Sequence, residues 1–198
     1  MRLQPQIWQG LRGNSKPAVI IAACIVLVVC VSLFNFWFKA REYDSAFIVK
    51  DLQQLQEILL RIDNDCKILS FDYIKNPINF LNVGTFTSSE VGPMNLGYPK
   101  NWKGPYVQDN LQVQNIEYQI VKTKKGLFIT PGDGVILPNG NVVGKDLVLD
   151  ENADIDAMAH DEHAFLHKGR ALVLPLPLKT TVWQKVLMQN VAGLNDGY

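Results

Sequence analysis

The chain is short of charge, short of cysteine and without a bias of sign. Lysine plus arginine number 19, aspartate plus glutamate number 19, and the formal net charge is zero. That balance provides no basic face or run of the kind nucleic acid requires. Three cysteines in 198 residues exclude a disulfide-built scaffold. A 47% hydrophobic fraction excludes a disordered chain, which combines low hydrophobicity with high net charge. There is no internal repeat. The six serines all lie at or before Ser89, and none stands in a G-x-S-x-G turn. Gly132-Asp133-Gly134 and Asn139-Gly140 are turns, with no Lys-Ser or Lys-Thr to make a phosphate loop. The protein is not expected to be an enzyme; the one enzymatic alternative is a membrane-tethered metal-dependent activity centred on His160, His163 and His167.

The missing charge is concentrated in one place, because none lies between Lys16 and Lys39. Residues 18–38 read AVIIAACIVLVVCVSLFNFWF, with only Ser32 and Asn35 clearly polar. At about 1.5 Å per residue such a helix matches a hydrocarbon core roughly 30 Å thick, so a single membrane span over 17–38 is expected. Trp37, among Phe34, Phe36 and Phe38, suits the membrane–water interface. Arg2, Arg12 and Lys16 precede the run and every acidic residue follows it, which puts residues 1–16 in the cytoplasm and 65–198 outside. The run is longer than a signal-peptide core and no small-x-small site follows it. Cys24 and Cys30 lie inside it. Cys66 is then the only thiol of the outer part, and is expected to be buried and inert.

The helix is expected to continue. Ala40, Tyr43, Phe47, Ile48, Leu52, Leu55, Leu59 and Ile62 recur at steps of mostly three and four, one face of a helix. No Gly or Pro interrupts residues 18–62, and Pro17 suits a first helical position. One helix over 17–63, apolar all round and then amphipathic over 39–64, follows. Its stripe has two possible uses: packing on the chain's own domain, or packing on copies and partners.

Beyond Cys66, residues 76–106 are rich in turn formers. Residues 116–121 alternate, 126–130 are β-prone, and Lys124-Lys125 between them suits a hairpin. Pro131-Gly132-Asp133-Gly134 and Pro138-Asn139-Gly140-Asn141 are turn sequences, and 135–137 and 142–143 around them are expected to be antiparallel strands. Residues 152–167 are expected to be helical. Residues 171–178 are extended, and Pro175 and Pro177 confine them to a sheet edge or outside the sheet. Residues 180–191 read as a last short helix with a Thr cap. The fold class is α+β, a long helix packed on a small antiparallel sheet.

Asp51 onward (DLQQLQEILLRIDND), the segment YPKNWKGPYV with Trp102, Gly104 and Tyr106, and the acidic run DENADID from Asp150 together resemble the type II secretion pseudopilins and type IV pilins. The resemblance implies a bacterial inner-membrane protein with a periplasmic domain, a structural subunit of a pseudopilus or related secretion machine. It also implies assembly with copies or similar subunits through the membrane helix, where Leu27, Val28, Val31 and Phe34 would pack. The family's peptidase site is a Gly followed by Phe, with Glu at the fifth mature position. Here no Phe follows Gly10 or Gly13, and no Glu lies in 18–38. The alternative is a non-polymerising bitopic scaffold or sensor whose periplasmic domain binds a protein. Neither reading involves nucleic acid or a small-molecule substrate.

Two clusters carry ligand chemistry. Asp150, Asn152, Asp154 and Asp156 alternate, as hard-cation loops do, and the resemblance implies calcium there. Ile155 stands where an EF-hand needs Gly, which excludes that motif. The other use of such residues is to cap and charge a helix start. All three histidines, His160, His163 and His167, fall at steps of three and four, one face of the expected helix. They suit Zn, Cu or Ni, a pH-sensitive contact, or a plain polar stripe. Trp102 and Tyr106 are expected in the core.

Overall fold

The computed structural model describes residues 15–179 and, within its first helix, the side chains of 20–21, 24–33 and 45 onward. The expected helix over 180–191, with Trp183, lies outside the described residues, as do Gly10, Gly13 and the side chain of Phe34. Two compact units are distinguished, Met1–Glu42 and Tyr43–Tyr198. Helix α1 spans Ser15–Cys66, as the absence of Gly and Pro predicts.

In the first unit, Ile20, Ile21, Ile25, Val26, Leu27, Val28, Val29, Val31 and Leu33 are all between 50% and 64% exposed. Among the described residues no helix is long and apolar enough to cross a membrane. The 18–38 run falls partly on side chains outside them.

In the second unit the stripe of α1 is spent on the chain's own core. Ile48, Leu52, Leu55, Leu59, Ile62 and Cys66 are buried there, at steps of four and three. Phe47 is 60% exposed because it stands one residue off that row, about 100° round the helix. The helix stops at Lys67, whose φ of 56° breaks the run. Its N–H returns to the Asp63 carbonyl at 3.0 Å.

Strands β1 (Ile68–Phe71), β2 (Lys75–Pro77), β3 (Glu90–Val91) and β4 (Met94–Leu96) come next, then a short 3-10 turn (Pro99–Asn101). There follow β5 (Gln112–Val113), β6 (Ile116–Glu117), β7 (Gln119–Thr123) and β8 (Gly126–Thr130). Helix α2 (Ile155–Met158) precedes β9 (Leu166–His167), β10 (Arg170–Ala171) and β11 (Leu174–Pro175). The main sheet has the order β11-β8-β7-β2 and is antiparallel throughout. A smaller sheet has the order β1-β4-β3. The architecture is α+β.

The β7–β8 hairpin turns on Lys124-Lys125, with Thr123 opposite Gly126. Tyr118, Gln119, Ile120 and Val121 are buried in succession rather than alternately. Strand β7 lies between β8 and β2 and is covered on both faces. Leu174 and Pro175 pair with β8 at the outer edge, the place a proline tolerates.

Two expectations are corrected. Residues 135–137 and 142–143 form no strands and meet only in a single bridge, Ile136 to Val142. Val143, whose N–H donates to the Val135 carbonyl at 3.0 Å, also forms a second bridge with Leu147. The helix expected over 152–167 is only Ile155–Met158. Ile155, Ala164 and Phe165 are all buried. A continued helix would carry Glu162 onto the face of Ile155 and Met158, burying a charge. The chain turns instead, and Lys168 (φ 49°) and Gly169 (φ 74°) close the β9–β10 hairpin.

Candidate functional site

Residues 24–33 of α1 present apolar side chains on every side, broken only by Ser32, and all are exposed. Leu27, Val28 and Val31, the residues assigned to assembly, lie in this stretch and are 64%, 62% and 51% exposed. Cys24 and Cys30 are exposed within it as well.

The other end of α1 holds the segment that carries the family resemblance. Trp102 Nε1 donates to the Val83 carbonyl at 3.0 Å. Its ring meets Tyr106 edge-on with centroids 4.8 Å apart, and Phe86 at 5.3 Å. A Cβ on Gly104 would fall 2.3 Å from both the Val83 oxygen and Trp102 Nε1, so nothing larger fits. Asn101 Nδ2 donates to the Asp65 carbonyl and Lys103 Nζ pairs with the Asp65 carboxylate, both at 3.0 Å. Tyr98 N–H reaches the Cys66 carbonyl at 2.8 Å. Asp65 raises the affinity of Lys103 for its proton, through a hydrogen bond and its charge. Both rings pack against the core, as expected, and the segment fastens the sheet region to the helix end. Cys66 beneath it is buried, and burial together with Asp65 pushes its thiol up, away from the reactive thiolate.

Two carboxylates of α1 do structural work inside the domain. Asp51 accepts the Tyr118 hydroxyl at 2.9 Å. Burial pushes the Asp51 carboxyl up, against smaller lowering effects of that bond and of Lys50. Burial and the Asp51 charge push the Tyr118 phenol up, so it remains the donor. Asp63 is only 4% exposed and accepts Ile68 N–H at 3.0 Å and Lys179 N–H at 2.9 Å. Sequence reasoning missed this double role, because the second partner is 116 residues away. The only signal was an acid on the helix directly after the buried Ile62.

In the acidic run, Asp150 Oδ1 accepts the Asn152 N–H at 2.8 Å, a local turn. Asp154 caps α2 by accepting the Ala157 N–H at 3.2 Å, and its other oxygen holds Lys125. Those partners lower the Asp154 carboxyl, Lys125 most of all. Asp156 is exposed in the first turn of α2. These residues thus cap and charge a short helix. The three histidines do not share a helix face. His160 follows α2, with Nδ1 2.9 Å from the Asp156 carbonyl; His163 lies in the next turn; His167 is in β9 opposite Arg170. Among the described residues, no three His, Cys, Asp or Glu side chains converge as metal ligands.

Comparison with family models, with characterised proteins and with solved structures finds no match.

Proposed function

We propose that the protein is a membrane-anchored structural subunit of the pseudopilus kind, held in a bacterial inner membrane by the first part of α1, with its α+β domain in the periplasm. The observation that carries this reading is the exposed stretch 24–33, apolar all round and without a charge. A helix of that kind suits lipid or a bundle of like helices, not water. Subunits assemble by packing these helices, and the domains ride outside. The segment around Trp102, Gly104 and Tyr106 supports the reading by fastening the sheet region to the helix end.

The alternative, a bitopic scaffold or sensor that does not polymerise, is favoured by one observation. The amphipathic stripe is consumed within its own domain, and the outward face there carries Lys50, Gln53, Gln54, Glu57 and Arg61, with Phe47 the one large apolar side chain exposed beside them.

The test is Val28→Asp in the full chain. A charge at a span centre costs about 2.5–3.5 kcal/mol of insertion free energy. Carbonate extraction should release a large share of the variant from membranes, and cross-linked multimers should disappear, while the thermal transition of the domain stays in place. Retention of the multimers would defeat rod packing. Loss of membrane retention without any multimer in the parent protein would favour the scaffold.

A further inference from the structure

We infer that Asn139-Gly140 is a deamidation site that the folded domain holds shut, and that the reaction, once it has occurred, keeps the chain around it from closing again. This does not rest on the membrane reading. In an Asn-Gly pair the backbone nitrogen reaches the side-chain carbon with little hindrance, because glycine brings no Cβ. Here the groups that the reaction uses are already committed. Residues 137–141 make a turn at the Ile136–Val142 bridge, with Leu137 N–H on the Asn141 carbonyl and Gly140 N–H on the Leu137 carbonyl, both at 2.8 Å. The attacking nitrogen therefore holds its proton against an acceptor. Asn139 Nδ2, the leaving group, donates to two carbonyls of the α2–β9 connection, Ala164 at 2.7 Å and Glu162 at 3.2 Å. Asn139 Oδ1 accepts the Asn141 N–H at 3.1 Å, and Asn141 Nδ2 donates to the His163 carbonyl. Two asparagine side chains thus clamp residues 162–164. Gly140 is exposed and a Cβ there would meet nothing within 4 Å, so water reaches the pair. Asp133-Gly134, the other such pair among the described residues, is tied down in the same way. Asp133 holds Lys75 and Gln119, and Gly134 N–H donates to the Val143 carbonyl at 2.8 Å.

When the turn lifts from 162–164, the Gly140 nitrogen bonds to Asn139 Cγ, the Cγ–Nδ2 bond breaks, and ammonia leaves with the Gly140 proton. Water then opens the five-membered imide. Attack at the side-chain carbonyl gives aspartate. Attack at the backbone carbonyl gives isoaspartate, with one more carbon in the main chain of the turn. Aspartate puts a carboxylate where the amide donated. Its oxygens only accept, and they face the Glu162 and Ala164 carbonyls, acceptor against acceptor. Isoaspartate breaks the same clamp by shifting the side chain. Ala164 adjoins Phe165, which is fully buried, so the loosening reaches the core. The ammonia is lost, so the change runs one way, and its rate reads how often this turn opens.

The experiment ages the full chain in detergent at mildly alkaline pH, with and without urea, and reads residue 139 by peptide mapping and mass spectrometry. Deamidation in the native chain should be at least about tenfold slower than in urea, the factor that the clamp's hydrogen bonds together correspond to. Asn141→Ala gives up one of those bonds and should raise the native rate roughly three- to tenfold. Hydrogen exchange across β7–β8, which should stay as in the parent, is the folding control. Asn139→Asp, which copies one product, should lose exchange protection at Leu137 and Phe165 while β7–β8 keeps its own. Where that variant fails to fold, the rates decide by themselves. Equal rates in native protein and in urea would overturn the inference. So would a native rate that Asn141→Ala leaves unchanged, or an Asn139→Asp domain as well protected at Leu137 and Phe165 as the parent.

Discussion

The two ends of α1 both carry many aliphatic residues and treat them in opposite ways. In 24–33 every described side chain is exposed and none is charged. From Ile48 to Cys66 the apolar side chains form one buried or half-buried face, and the exposed residues opposite it, Lys50, Gln53, Gln54, Glu57, Arg61 and Asn64, are charged or amide. The difference lies in arrangement. A row at steps of three and four can be covered by one sheet, whereas a cylinder that is apolar all round can be covered only by lipid or by several helices. The second end also carries Asp51 and Asp63, each paired within its own domain.

The sharpest way to break this contrast is to shorten one leucine at each end. Leu59 is fully buried in the core, and Leu59→Ala should cost about 2–5 kcal/mol of domain stability, from lost transfer energy and the cavity left behind. Leu27→Ala removes a side chain that touches little, and should leave the domain transition where it was. Denaturant melts of the full chain in detergent, read by near-ultraviolet circular dichroism, give both values. An equal loss at the two sites would break the comparison.

Much of this contrast is legible in the sequence, because it rests on periodicity and on the absence of Gly and Pro over 18–62. The β7–β8 hairpin and the edge position of Pro175 are legible for similar reasons of turn chemistry and a missing N–H. What escapes is set by distant partners or by unusual turns. Gln114 and Asn115 both take positive φ, 55° and 61°, to close β5 on β6, and Gln is a poor advertisement for that conformation. The Gln114 side chain then bonds both backbone groups of Ile136, which no local pattern foretells. The histidine spacing misled because it assumed a helix that the burial of Ala164 and Phe165 forbids. Trp102 and Tyr106 were readable as core because aromatics in a turn-rich stretch need somewhere dry to go.

Asp63 gives the next largest effect. Asp63→Ala leaves the buried Ile68 N–H without its acceptor, at a cost of about 1–3 kcal/mol, while the N–H of exposed Lys179 can turn to water and loses less. Asp63→Asn keeps one good acceptor oxygen and should fall between Ala and the parent. Hydrogen exchange would show the loss at Ile68 and Lys179 before the rest of the domain. If Asn proves as damaging as Ala, the negative charge matters more than the acceptor count.

Asp51 provides the smallest effect, and its sign is the informative part. Its carboxyl is pushed up by burial more than Tyr118 and Lys50 pull it down. The folded state therefore binds the proton more tightly than the unfolded chain, whose aspartate titrates near 3.9 on average. Under linkage, stability contributed by this group is fully present below the unfolded value, is lost as pH rises through the raised folded value, and is constant above it. Asp51→Asn removes that dependence while keeping an oxygen for the Tyr118 hydroxyl. The stability of the variant relative to the parent should rise across that window and then level off, as urea melts from acid to neutral pH would show. Tyr118→Phe, which deletes the opposing bond, should cost about 1 kcal/mol and steepen the parent's decline. A relative stability that falls with rising pH in Asp51→Asn would mean that the Tyr118 bond outweighs burial, and that this carboxylate holds α1 to β7 as an ion.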